Sequence, residues 1–285
     1  MGKIEVVRGL PGAFGGMAEL EKEPPVTWLI KDWLAAREIS CIYGQGGTFK
    51  SYIALGWTLQ LSLYKNVHTL YVAAEGTSGL RSRVDAWMAA HGRLGEYMKT
   101  WHYYNANVHV DDHNSVGLWL NAMEEYFRSK RGEFSIKADS PRLIVVDTMA
   151  RNFQGDENSA KEVGMFIEGC EHLRRELDTS ILIIHHMGVT TGRERGTAAL
   201  RNATFAMFKT SNPKHNGMGG GSVELTCDRM KDATMPEEVR CYFDTVDLDV
   251  NSVGEVHRRS QAMRNFPPRG AKRPRKTPIK AQREE

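Results

Sequence analysis

Cysteine is scarce in this chain, and the four residues present, Cys41, Cys170, Cys227 and Cys241, stand far apart with no CxxC pair. That spacing argues against a zinc ribbon and against a disulfide framework, and leaves free buried thiols in a reducing compartment as the expectation. Long apolar runs are missing too: no stretch reaches the roughly 18–20 residues that span a bilayer. The opening residues, MGKIE, carry no apolar signal region, and Gly2 lacks the Ser or Thr that completes a myristoylation signal. These absences point to the cytosol and away from a membrane. There is little net charge, only +3, so the distribution of charge matters more than its sum. No internal repeat is visible, which argues against a solenoid.

What is present is an ordinary globular composition, 41% hydrophobic and 26% charged over 285 residues. Such a length suits one α/β domain with flanking segments. Residues 1–23 are rich in Gly and Glu without a sustained period and read as a flexible leader, and Pro24-Pro25 marks the entry to the domain. Residues 26–36 form a short amphipathic stretch. Strands are then predicted over 38–43, 69–74, 108–110, 143–147 and 180–185, with helices over 51–63, 78–91, 116–130 and 160–177. Apolar strands alternating with helices indicate a mostly parallel central sheet flanked by helices on both faces. Residues 204–210, 222–228 and 239–246 follow in close succession and read as antiparallel strands extending that sheet. The domain is expected to cover 24–252. From about Glu255 onward basic residues and prolines dominate, so 253–285 reads as a basic disordered tail.

Chemistry concentrates at the predicted carboxyl ends of the strands. Gly44, Gly46, Gly47, Thr48, Phe49, Lys50 and Ser51 lie between the first strand and the first helix, the context of a phosphate-binding loop. Backbone N–H groups there wrap the β-phosphate, and the helix N-terminus adds positive potential. Lys50 is placed to reach the β- and γ-phosphates of ATP, and Ser51 to ligate Mg²⁺. Phe49 departs from the pattern, which has glycine before the lysine. Asp147 ends the LIVVD strand and, with Ser51, is the second residue expected at Mg²⁺. Glu75 ends the second strand, where a carboxylate can orient the attacking water as general base. His185 and His186 end the SILIIHH run. His186 lies further toward the rim and is the candidate that hydrogen-bonds the γ-phosphate.

The segments IYGQGGTFKSYIAL (42–55), YVAAEGTSGLRSRVDAW (71–87), LIVVDTMARNFQGDENSA (143–160) and IIHHMGVTTGRERGTAALRNA (183–203) together resemble the RepA-type branch of RecA-like P-loop ATPases. This branch includes hexameric plasmid replicative helicases and AAA-type ATPases of phages. The resemblance implies a RecA-like core assembled as a homo-oligomeric ring, a hexamer in those helicases, with ATP and Mg²⁺ at subunit interfaces. It implies Walker A roles for Lys50 and Ser51, the Walker B role for Asp147, the catalytic base at Glu75 and the sensor at His186. The run Cys227-Asp228-Arg229-Met230-Lys231-Asp232 resembles the strand that sends a basic finger into the neighbour's site, making Arg229 and Lys231 trans-acting candidates. Val189 stands where many relatives carry lysine.

The resemblance also turns the loop over 188–201, with Arg193, Arg195 and Arg201 among glycines, toward a central channel. There it would contact the phosphates of single-stranded DNA without reading bases. The basic tail either adds nonspecific attraction for nucleic acid or is a solubilising end. Three functions stay open: a DNA motor or helicase in replication, a recombination or strand-annealing accessory ATPase, and a P-loop small-molecule kinase.

Overall fold

A computed structural model of the chain describes residues 16–21, 25–74, 79–94, 96, 98–131, 140–188, 192, 194–217, 220–250 and 256–264. A short helix α1 (Met17–Leu20) and a hairpin of β1 (Trp28–Ile30) and β2 (Leu34–Ala35) precede the main body. The main strands are β3 (Ile39–Gly44), β4 (Thr69–Ala73), β5 (Trp101–Tyr104), β6 (Leu143–Asp147) and β7 (Ser180–His186). They are followed by β8 (Ala206–His215), β9 (Gly221–Met230), β10 (Val239–Val250) and β11 (Val256–Met263). The helices between them are α2 (Lys50–Lys65), α3 (Leu80–Ala90), α4 (His113–Arg131), α5 (Met149–Asn152), α6 (Ala160–Leu177) and α7 (Ala199–Ala203).

Nine strands form one sheet in the order β11-β10-β9-β8-β3-β7-β6-β4-β5. From β8 to β5 neighbouring strands are parallel, and β9, β10 and β11 continue as an antiparallel meander. This is the RecA-like α/β architecture that the strand–helix alternation predicts. Strand β3 sits in the interior between β7 and β8, while the next strand in the chain, β4, is separated from it by β7 and β6. The crossover opens a crevice at the carboxyl end of β3, the position where open parallel sheets bind ligands.

Every residue of β6 is buried because its side chains alternate between two cores. Leu143 and Val145 join Ile53, Trp57 and Leu61 of α2 on one face. Ile144 and Val146 join Phe127 of α4 and Phe166 and Cys170 of α6 on the other. A strand covered on both sides has no solvent face, so the run is apolar throughout. Helix α6 starts at a designed end: the Ser159 hydroxyl accepts the Glu162 backbone N–H at 3.3 Å. All four cysteines are buried and free.

Three expectations need correction. Residues 108–110 do not form a strand: the Val108 and Val110 backbone N–H groups bond to Asn152, at its side-chain and backbone oxygens. The strand at that edge is β5, the WHYY run, anchored to α2 by Trp101 Nε1 donating to Thr58 Oγ1 at 3.0 Å. Residues 26–36 make the β1–β2 hairpin rather than one amphipathic element. The third correction concerns the C-terminus. The domain does not stop at 252, because β11 pairs with β10 as the outer strand. Its Ala262 and Met263 enter the core beside Gly56 of α2, where Met263 comes so close that a Cβ would sit 2.4 Å from its Cε. Two core residues among charged neighbours carry too little hydrophobic signal to register as a strand. Of the leader over 1–23, residues 16–21 are described and carry α1, while 1–15 and 22–23, like the basic stretch over 265–285, lie outside the described residues.

Candidate nucleotide site

The loop between β3 and α2 is shaped by one close approach and one left-handed turn. At Gly44 a Cβ would lie 2.0 Å from Thr210 Oγ1 of β8, so only glycine fits. Gly47 has φ +73°, and space around both Gly46 and Gly47 is open. The Thr48 hydroxyl bonds the Gln45 carbonyl and the Thr210 hydroxyl, each at 2.7 Å, which fastens the loop to the neighbouring strand. Lys50 is buried, and its ammonium donates to the carbonyls of Gly44 (3.0 Å) and Gln45 (2.6 Å), so it spans the inside of the loop.

Phe49 occupies the glycine position with glycine's backbone, at φ 60°. A left-handed L-residue costs about 1–2 kcal/mol. The compensation lies in the side chain. Phe49 is buried, stacks on Phe243 of β10 at 4.3 Å between centroids, and packs against His215 of β8 at 5.2 Å. Burying a phenyl ring contributes about 1.5–3 kcal/mol and an aromatic pair about 0.5–1.5 kcal/mol. These gains exceed the backbone cost, so the antiparallel strands brace the loop through the residue that departs from the motif.

Asp147 ends β6 and is buried; its Oδ1 accepts from Ser51 Oγ at 3.2 Å and its Oδ2 from the Tyr71 hydroxyl at 2.5 Å. The Tyr71 hydroxyl also lies 3.3 Å from the Ser51 carbonyl. Burial, followed by the neighbouring Asp147, holds the Tyr71 phenol well above its ordinary pKa, so it remains a neutral donor. His186 lines the cleft from the end of β7, level with Gly44 in the parallel pairing. His185 points away: burial lowers its pKa, and its Nε2 is 2.8 Å from the Arg195 carbonyl. A carbonyl only accepts, so Nε2 carries the proton and His185 is a structural donor.

The cleft has a volume of about 360 Å³ and is lined by the loop from Gly46 to Ser51 together with Tyr52, Arg83, Thr148, Ile184, His186, His215 and Gln261. These residues fit a magnesium nucleotide. Helix α2 has neither a side-chain N-cap nor an acidic residue in its first turn, so its leading N–H groups are left for an anion. Ser51 and Asp147 are hard oxygen donors side by side, the chemistry Mg²⁺ selects. With nucleotide and cation bound, the metal would neutralise phosphate charge as the γ-phosphoryl group departs. Tyr71 and Arg83 lie in the 71–87 segment at positions to which the motif gives no role, and Thr210, His215 and Gln261 come from the C-terminal strands outside every motif, so none of the five was legible as a site residue.

The remaining predicted residues divide. Glu75 and Arg193 lie outside the described residues, though Ala74 just before Glu75 donates its N–H to the Asp147 carbonyl at 3.1 Å, at the same rim. Arg229 and Lys231 stand at the far end of the sheet. Thr210, level with the phosphate loop, pairs with Leu225, and Arg229 is four residues further on, roughly 13 Å away at strand rise. Lys231 Nζ donates to the Ala203 carbonyl at 3.2 Å. Arg201 is not an open loop cation: only 16% of its side chain is exposed, and its guanidinium bonds Glu194 and Asp228, at 2.5 and 2.7 Å. Tyr43 completes this cluster by donating to Asp228 at 2.6 Å. The expectation that Arg201 meets DNA phosphates is corrected accordingly, since its donors are spent on two carboxylates, the buried Glu194 and the more exposed Asp228. Arg195 pairs with Glu157 at 2.8 Å, yet stays more than half exposed.

Among the described residues no helix is long and apolar enough to cross a membrane. No curated protein matches the chain. The AAA domain family AAA_25 matches residues 17–192, more than half of the sequence and the whole span from the phosphate loop through Asp147 to His186. With that match over more than half of its length, the chain belongs to this AAA domain family of P-loop ATPases.

Proposed function

We propose that this ATPase is a motor of the RepA type that acts on single-stranded DNA in replication, working as a homo-oligomeric ring. The observation that carries the reading is the way β7 leaves the nucleotide cleft. His186 lines the cleft, and the chain then turns out and back so that Met187 bridges Glu194 and the Arg195 N–H returns to the His186 carbonyl at 2.9 Å. A residue beside the γ-phosphate position is thus joined directly to the base of a loop carrying Gly188, Gly192, Arg193 and Arg195. Loss of the γ-phosphate at His186 would shift that base, and with it the cations that hold a DNA backbone.

The ring accounts for Arg229 and Lys231. At the opposite end of the sheet from their own chain's phosphate loop, they reach a nucleotide only on a neighbouring copy, where a guanidinium or ammonium offsets charge developing in hydrolysis. Glu75 serves as the base that orients water. Glu75→Gln is expected to keep ATP binding and slow turnover by about 10²–10⁴-fold.

The test is the steady-state ATPase rate with and without single-stranded DNA at moderate salt, followed by strand displacement on a forked duplex. Stimulation with displacement is the expected result. Stimulation without displacement replaces the motor with a strand-annealing accessory ATPase. A rate indifferent to DNA overturns the nucleic-acid reading and turns attention to a small-molecule phosphoryl acceptor.

A further inference from the structure

The Tyr71 hydroxyl touches both residues that would hold the cation. It donates to Asp147 Oδ2 at 2.5 Å and lies 3.3 Å from the Ser51 carbonyl, and the residue is only 2% exposed. Its strand, β4, pairs with β6 so that Tyr71 stands beside Val145, two residues before Asp147, with the ring on the α2 face of the sheet. The hydroxyl therefore approaches the carboxylate from inside the core, where water does not compete. With Oδ2 so occupied, the Ser51 hydroxyl meets the other oxygen, Oδ1.

We propose that Tyr71 is a positioning residue for Mg²⁺: it orients the Asp147 carboxylate so that Oδ1 and the Ser51 hydroxyl face the cation together. The inference rests on the assignment of Ser51 and Asp147 as the cation's residues. Mg²⁺ demands near-ideal octahedral geometry and tolerates a rotated carboxylate poorly. Partners that orient a metal's ligands typically account for 10–100-fold in metal affinity. A tyrosine serving only to fill the core would need neither hydroxyl contact, because phenylalanine packs the same space.

The experiment is a titration of Mg²⁺ into the full-length chain with a fluorescent ADP, comparing wild type with Tyr71→Phe and, in parallel, Tyr71→Leu. Binding of the nucleotide without Mg²⁺ is expected to be unchanged within about twofold, while the Mg²⁺ concentration at half-effect rises about tenfold. In an Asp147→Asn background the Tyr71→Phe shift should vanish, since the two act as one unit. An unchanged Mg²⁺ midpoint in whichever Tyr71 variant folds overturns the proposal, as does a shift that persists undiminished in the Asp147→Asn background. The underlying assignment fails separately: nucleotide binding that survives Lys50→Ala, or a Mg²⁺ midpoint untouched by Asp147→Asn alone, removes the site and not the role of Tyr71 within it.

Discussion

Phe49 shows how one residue departs from a motif without losing its geometry. Its backbone keeps the left-handed turn that glycine adopts freely, and its ring is the loop's tie to β10. Two substitutions separate these effects. Phe49→Ala keeps the strained backbone and loses the packing, so it should cost about 3–5 kcal/mol. Phe49→Gly loses the same packing but relieves the turn, and should retain about 1 kcal/mol more stability than the alanine variant. Urea unfolding of the pair checks the order, and an alanine variant at least as stable as the glycine one contradicts it. At the neighbouring position, Lys50→Ala removes the ammonium inside the loop and should lower phosphate release at least about 100-fold.

Arg201 is the residue whose role changes most on folding. In the sequence it is a cation in a glycine-rich loop, and nothing local reveals that Glu194, Asp228 and Tyr43 converge on it from three other segments. Burial raises the Glu194 carboxyl, but the bonds from Arg201 outweigh it and leave the group below its ordinary pKa. Asp228 is lowered the same way, its burial outweighed by bonds from Tyr43 and Arg201. A depressed carboxylate stabilises the fold fully above its unfolded pKa, and that contribution is lost as pH falls through the folded value. Thermal midpoints should therefore drop as pH falls below about 4. Arg201→Ala should flatten that part of the profile and destabilise the protein at pH 7 by about 3 kcal/mol, because Glu194 would be left buried and unpaired.

At the scale of elements, legibility followed hydrophobic content. The strands β3, β4, β6 and β7 are fully or almost fully buried, and each is a continuous apolar run bounded by turn residues. The motifs at their ends could therefore be placed on one rim from the sequence alone. Edge strands have one neighbour and a thinner signal. WHYY has β-forming aromatics, but its register against β4 is fixed by contacts with α2 that no local pattern encodes. The last strand is harder still, since its contribution to the core is concentrated in Ala262 and Met263. A chain ending after Gly254 loses that strand, uncovers the β10 edge and should be destabilised by about 3–5 kcal/mol. A chain ending after Arg264 keeps the sheet whole, and its thermal midpoint should match that of the full-length protein.

At the scale of the molecule, the two ends of the sheet carry different chemistry. One rim gathers Lys50, Ser51, Asp147 and His186; the opposite end holds Arg229 and Lys231. If hydrolysis depends on those cations from a neighbour, specific ATPase activity should rise with protein concentration and level off when assembly is complete. Arg229→Ala should depress the plateau while leaving nucleotide affinity intact. Mixing that variant with an Asp147→Asn chain, each supplying what the other lacks, should restore part of the rate. A rate per chain that stays flat on dilution to the monomer refutes the shared site.

The stack of Phe49 on Phe243 also has a consequence for the growing polypeptide. The phosphate loop is made first, but the ring that braces it belongs to β10 and another cleft residue, Gln261, to β11, both translated later. At about 5–20 residues per second, a ribosome needs roughly 10–40 s to travel from one phenylalanine to the other. Throughout that interval the nascent chain carries the phosphate loop without its brace, so the cleft acquires its full lining only once β10 and β11 have been made.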